Sequence, residues 1–150
     1  GSDFDLRITT DAVGNVYIGG STYSTDFPVT QNAFQSSLSG DYDAFIVKFT
    51  TSGVLLWATY CGGSATEFTR GLATDSGNNL YICGMTKSRD YPVTAGAFQT
   101  SIKGNKVKRD AFVTRFDQYG GMAWSTYYGG SDWDEPHGMT IDDAHNVVVT

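Results

Sequence analysis

Charge is scarce in this chain: only 17% of its 150 residues are Asp, Glu, Lys or Arg, and ten basic against sixteen acidic residues leave a net charge of −6. An acidic chain repels phosphate backbones, which argues against nucleic acid as a partner. Cysteine is scarcer still. Cys61 and Cys83 are the only two, with no CxxC spacing and no nearby histidine pair, so neither a disulfide framework nor a zinc site is outlined. Of the two histidines, His137 lies beside Asp134 and Glu135, where general-acid work is conceivable. A hydrogen-bonded surface histidine is the simpler reading. Neither histidine belongs to an HExxH, and no GxSxG elbow or P-loop is present. No apolar run is long enough to cross a bilayer, so membrane insertion by a helix is not expected. No basic-plus-apolar leader opens the chain, which carries no weight for a mature or excised segment. There is no N-x-S/T sequon, and no apolar stripe of 3.6-residue period at helical length.

What is present is glycine, at 18 residues, and aromatic side chains, at 14%. That mixture is too apolar for a disordered chain and favours short strands joined by tight turns. The chain also repeats itself. "DFPVTQNAFQ" at 26–35 returns as "DYPVTAGAFQ" at 90–99, with seven of ten positions identical. "DAFIVKFTTSGVLLWATYCGGS" at 43–64 returns as "DAFVTRFDQYGGMAWSTYYGGS" at 110–131, with eleven of 22 identical. The first pair is offset by 64 residues and the second by 67, so three extra residues fall between Phe98 and Asp110. A third copy opens at "HGMTIDDAHNVVVT".

Each unit reads as four strands, at 70–75, 78–86, 110–117 and 122–130 in the second copy. Alternation puts Phe112, Thr114 and Phe116 on one face of the third, and Met122, Trp124, Thr126 and Tyr128 on one face of the fourth. Four strands per unit, radially repeated, is the plan of a β-propeller blade. The expected fold class is therefore all-β: blades of four antiparallel strands, about two and a third of them, belonging to a larger propeller. Blade 1 spans 1–64, with its inner strand near 6–11 and its outer strand near 54–61; blade 2 spans 65–131, and 132–150 begins blade 3. The small residues Gly71, Ala73, Gly138 and Thr140 suit a crowded innermost strand. Trp57 and Trp124 belong to outer strands, where each is expected to be worth ~3–5 kcal/mol. In the loop between second and third strands, Pro28 and its counterpart Pro92 end the second strand, and Phe27 and Phe34 (repeated as Phe98) tuck back on their own blade. Gly62 and Gly129 close the outer strands. Cys61 aligns with Tyr128 and Cys83 with Gly19, at different radii and beyond the ~7 Å Cα separation a disulfide tolerates, so no bridge between them is expected.

The run from Asp110 to Thr150, with "GNVYIGGSTYSTDFPVTQNAF" and its second copy, resembles the SBBP repeat, a β-propeller repeat. The resemblance covers nearly the whole chain. It implies blades of large, mostly secreted or surface-exposed microbial proteins without an agreed catalytic residue set, and hence an extracellular or cell-surface address.

Three acidic residues, Asp3, Glu67 and Asp134, keep register before the inner strands, and a ring of them could hold a hard cation such as calcium. Turn capping or solvation accounts for them more simply, because calcium needs several converging ligands. Asp11, Asp75 and Asp142, each followed by Asn15, Asn79 and Asn146, are explained by Asx-turn chemistry. Lys103, Lys106, Lys108 and Arg109 form the one basic cluster, either a docking loop for an acidic partner or a tolerated surface variation. The expected function is a non-enzymatic structural or binding module, without a cofactor, contacting protein or glycan and the remaining blades of the same polypeptide or neighbouring chains. "TSGVLLWAT" faintly resembles the signature of quinoprotein propellers, which makes a propeller enzyme the alternative. A filament subunit pairing through blade edges is another. By alignment the residue after Thr150 is expected to be glycine, and the segment alone is expected to be insoluble, molten or oligomeric.

Overall fold

The computed structural model describes residues 3–103 and 108–150. Among them are ten strands and no helix. β1 (Asp3–Thr10), β2 (Val16–Thr22), β3 (Asp43–Phe49) and β4 (Leu55–Cys61) pair in that order as one antiparallel meander. β5 (Glu67–Thr74), β6 (Leu80–Thr86), β7 (Asp110–Phe116) and β8 (Met122–Tyr128) form a second sheet of the same plan. β9 (Met139–Ile141) and β10 (Val147–Val149) pair alone. The first strands of successive units, β1, β5 and β9, lie against one another, as innermost strands must.

The turns that enter the second strands show why these sequences fold here. Asp11 Oδ1 accepts the backbone N–H groups of Val13 and Asn15, at 3.2 and 2.8 Å, and its Oδ2 accepts Asn15 Nδ2 at 2.8 Å. Asp75 and Asp142 repeat the pattern on Asn79 and Asn146. The residue before each asparagine is left-handed: Gly14, Asn78 and His145 have φ of 86°, 61° and 63°. That is why β6 begins at Leu80 rather than at residue 78. β5 begins earlier than expected, at Glu67, because a bulge between Thr69 and Gly71 absorbs one residue and lets pairing resume.

The core lies between the two sheets. Ala44, Ile46, Trp57 and Cys61 of the first meet Leu80, Ile82, Phe112 and Phe116 of the second, with Phe34 packed against the cluster. The expected face of β7 is the one observed. That of β8 is not: a bulge opposite Arg115 and Phe116 leaves Ala123 as the extra residue, so Met122 turns into this cluster, away from Trp124, Thr126 and Tyr128. β2 ends at Thr22, whose hydroxyl accepts the Ser24 N–H at 3.0 Å, well before Pro28. Cys61 and Cys83 are buried and unbridged, and burial pushes both thiols up to about 12, so neither is a nucleophile near neutrality.

Candidate interaction surface

The long loop of each unit is fastened to its own sheet by side chains that recur in both copies. Gln35 Nε2 donates to Asp43 Oδ2 at 2.6 Å while its Oε1 accepts the Gly62 N–H at 2.8 Å. Gln99 does the same with Asp110 and Gly129, at 2.6 and 3.0 Å. A Cβ on Gly62 or Gly129 would stand within 2.6 Å of the facing aspartate carboxyl carbon, which is why both positions are glycine. Burial pushes the Asp43 carboxyl up, against the hydrogen bonds from Ser39, Gly40 and Gln35 that favour its charge. The Tyr60 hydroxyl donates to the Ser24 carbonyl at 2.6 Å and accepts the Phe27 N–H at 3.1 Å, and Tyr127 repeats this on Ser88 and Tyr91. The sequence reading passed over Gln35, Gln99, Tyr60 and Tyr127. Their signal was available: each recurs at the repeat offset in a place where no turn requires that residue type.

The three carboxylates of the expected ring fare differently. Glu67 is fully buried; its Oε2 accepts the Gly63 N–H at 2.9 Å and its Oε1 accepts the Thr86 hydroxyl at 2.5 Å. Asp134 Oδ2 caps the matching turn at Gly130 N–H, 2.8 Å away. Asp3 is exposed on β1 opposite Thr22. No group of three or more His, Cys, Asp or Glu side chains able to hold a metal ion occurs among the described residues. Turn capping is what the geometry displays for Glu67 and Asp134.

Two members of the basic cluster, Lys108 and Arg109, form ion pairs within the chain. Lys108 pairs with Asp132 at 2.5 Å. Arg109 pairs with Glu135 at 2.9 Å and lies 4.3 Å over the Trp133 ring. Lys103 is exposed, and Lys106 lies outside the described residues. Arg70, on β5, joins all three units: it contacts Asp5 of the first at 2.7 Å and Glu135 of the third at 2.6 Å. Hydrogen bonding from Arg70 holds the Glu135 carboxyl below the usual carboxylate range.

Phe34 packs against the cluster between the sheets and meets Phe116 of the second edge-on, with ring centroids 5.8 Å apart. Phe27 tucks back, 4.6 Å from Phe45. The residue equivalent to Phe34 is Phe98, and it is 82% exposed. Beside it runs an open groove of about 480 Å³ lined by Val113, Trp124, Tyr128 and β10. Phe34→Ala should therefore cost ~2 kcal/mol in unfolding free energy, and Phe98→Ala under ~0.5 kcal/mol. Urea midpoints of the two variants measure the contrast, and equal losses would contradict the assignment of Phe34 to the junction between sheets.

Two antiparallel four-stranded meanders packed face to face, with the first strands of a third unit beside them, define a β-propeller repeat protein. The family model SBBP, described as beta-propeller repeat, matches residues 1–28 and 56–92. A stretch of 117 residues, 75% of this chain, is 24% identical to an uncharacterized WD repeat-containing protein of Acanthamoeba polyphaga mimivirus. The chain spans 8% of that protein's length.

Proposed function

We propose that the chain is a non-enzymatic structural or binding module, a segment of a larger extracellular or surface β-propeller that contacts protein or glycan partners. The observation that carries this is how the repeated polar side chains are used. Gln35, Asp43 and Tyr60 with their counterparts Gln99, Asp110 and Tyr127, and Glu67 with Asp134, are hydrogen-bonded into the unit's own turns and loop, and these repeated groups hold the architecture together. Propeller repeat proteins generally serve interaction, and the WD-repeat relative points the same way, while fold alone supplies no chemistry. Partners are expected among the remaining blades of the polypeptide or neighbouring chains.

The quinoprotein alternative gives the test. With pyrroloquinoline quinone and Ca²⁺ added, the unfolding free energy of the chain should not change. A ligand held at a hundredfold excess over its Kd would raise it by ~2.7 kcal/mol, and a rise of that size would sink the module reading. The surface address is checked by protease treatment of intact source cells: loss of the protein supports it, and protection until lysis opposes it.

A further inference from the structure

We propose that the step from the first unit to the second is a proton-operated joint, closed while Glu67 is protonated and loosened when its ionised carboxylate faces Asp43. The inference goes beyond the module reading and does not depend on it.

Residues 62–67 carry the chain from β4, at one edge of the first sheet, to β5, the innermost strand of the second. The stretch is stitched to both units. The Ala65 carbonyl accepts the Asp41 N–H at 2.7 Å, and the Glu67 N–H donates to the Tyr42 carbonyl at 2.8 Å. Tyr42 and Thr66 form a parallel bridge between these bonds. On the other side the Thr66 carbonyl accepts the Lys87 N–H at 3.0 Å, and the Ala65 N–H donates to Ser88 Oγ at 2.8 Å.

Two carboxyl groups meet inside this joint, one from each unit, and both residues are fully buried. A Cβ on Gly62 would lie 2.5 Å from the Asp43 carboxyl carbon and 2.5 Å from Glu67 Oε2, so the two groups face each other across a glycine. Cys61 at the end of β4, Asp90 and Tyr91 of the second unit's loop, and Tyr127 of β8 lie in the same field. None of these carries a positive charge.

The hydrogen-bond partners decide which of the two holds the proton. Asp43 is bonded by Gln35 Nε2 and by the backbone N–H groups of Ser39 and Gly40, which only donate and so favour a carboxylate. Glu67 Oε1 lies 2.5 Å from Thr86 Oγ1, and a hydroxyl accepts as well as donates, so a protonated Glu67 keeps this bond by reversing it. Ionising both groups would set like charges together away from water. In agreement, burial, with a smaller push from the Asp43 charge, raises the Glu67 carboxyl from 4.5 to about 7. Once ionised, the side chain gains water by lifting residues 62–67. That movement breaks the Asp41–Ala65 and Glu67–Tyr42 bonds between the units.

Native-state hydrogen exchange, read residue by residue at pH 5 and pH 8, tests the joint. Protection factors, which already discount the base catalysis of exchange, should fall ~50-fold at Asp41 and Glu67 as pH rises. That is the change in opening constant for a carboxyl that titrates at about 7 when closed and 4.5 when released. The amides of Asn15 and Asn79 donate to Asp11 and Asp75, whose carboxyls lie below their ordinary range, and should keep their protection. Glu67→Gln retains an acceptor for the Gly63 N–H and a partner for Thr86 without a titrating proton, so protection at Asp41 should be level in that variant. A fall confined to the joint and abolished by Glu67→Gln supports the proposal. Protection that does not change, that falls equally at Asn15 and Asn79, or that falls equally in the glutamine variant overturns it. The parent chain alone decides the first two outcomes, whatever the variant does.

Discussion

Trp57→Ala should lower the unfolding free energy by ~3–5 kcal/mol, the usual cost of emptying a buried aromatic site, while Trp124→Ala should lower it by only ~1–2 kcal/mol. The two residues occupy the same place in the repeat and differ in surroundings. Trp57 is 7% exposed, its ring centroid lies 6.0 Å from that of Tyr17 and 6.3 Å from that of Phe116, and its Nε1 donates to the Gln118 carbonyl. Removing it empties the junction between sheets and leaves that carbonyl with Lys48 alone. Trp124 keeps one comparable neighbour, Tyr81 at 6.0 Å, and borders the open groove, which collapses or floods at little cost. Denaturant midpoints of the two variants in parallel measure the difference. Losses within ~1 kcal/mol of each other would mean that the junction is not where stability resides.

Stability should also fall between about pH 4.5 and pH 7, and Glu67 should be the reason. Burial pushes its carboxyl from the ordinary 4.5 to about 7, against hydrogen bonds from Ser88, Thr86 and the Gly63 N–H that favour its charge. The folded chain therefore holds a proton that the unfolded chain releases. With more protons bound when folded, stability declines as pH rises from the unfolded value, and levels off above the folded one. The span corresponds to ~3 kcal/mol at most. Glu67→Gln removes the titration at nearly constant shape. Its stability curve, subtracted from that of the parent, should show the decline, and a flat difference across the interval would count against a neutral buried Glu67. Because the effect is read as a difference, a carboxyl not coupled to Glu67, such as Asp110, cancels from it, whereas the Asp43 charge bears on Glu67 and contributes to the shift being read.

Much of this architecture was legible in the residues. Period-two alternation located the strands and separated Phe112, Thr114 and Phe116 from Val113 and Arg115, because a strand has two faces and each was chemically marked. The Asp-to-Asn spacing announced the Asx turns, since that chemistry is local. What sequence could not carry was anything decided by a neighbouring unit. Phe34 and Phe98 are identical within the same frame, yet one is packed and the other exposed, because the difference lies in the sheet that follows. Met122 defeated the alternation because one bulge inverts every assignment beyond it. Glu67 looked like its aligned acids, Asp3 and Asp134, and only packing sets it apart as fully buried.

The Gln–Asp pairs have a consequence for how such a repeat can change length. Gln35 and Asp43 are eight residues apart in the chain, and Gln99 and Asp110 are eleven apart, yet the bond is 2.6 Å in both. The clasp closes over the stretch where the second copy is longer and hides that difference from the rest of the sheet. Widening the enclosed loop by this amount adds only ~0.3 kcal/mol of closure entropy, so insertions between the paired residues are nearly neutral. Successive copies can therefore drift in length at that one place without shifting the phase of the strands that follow, and a gene built by tandem duplication keeps its blades in step.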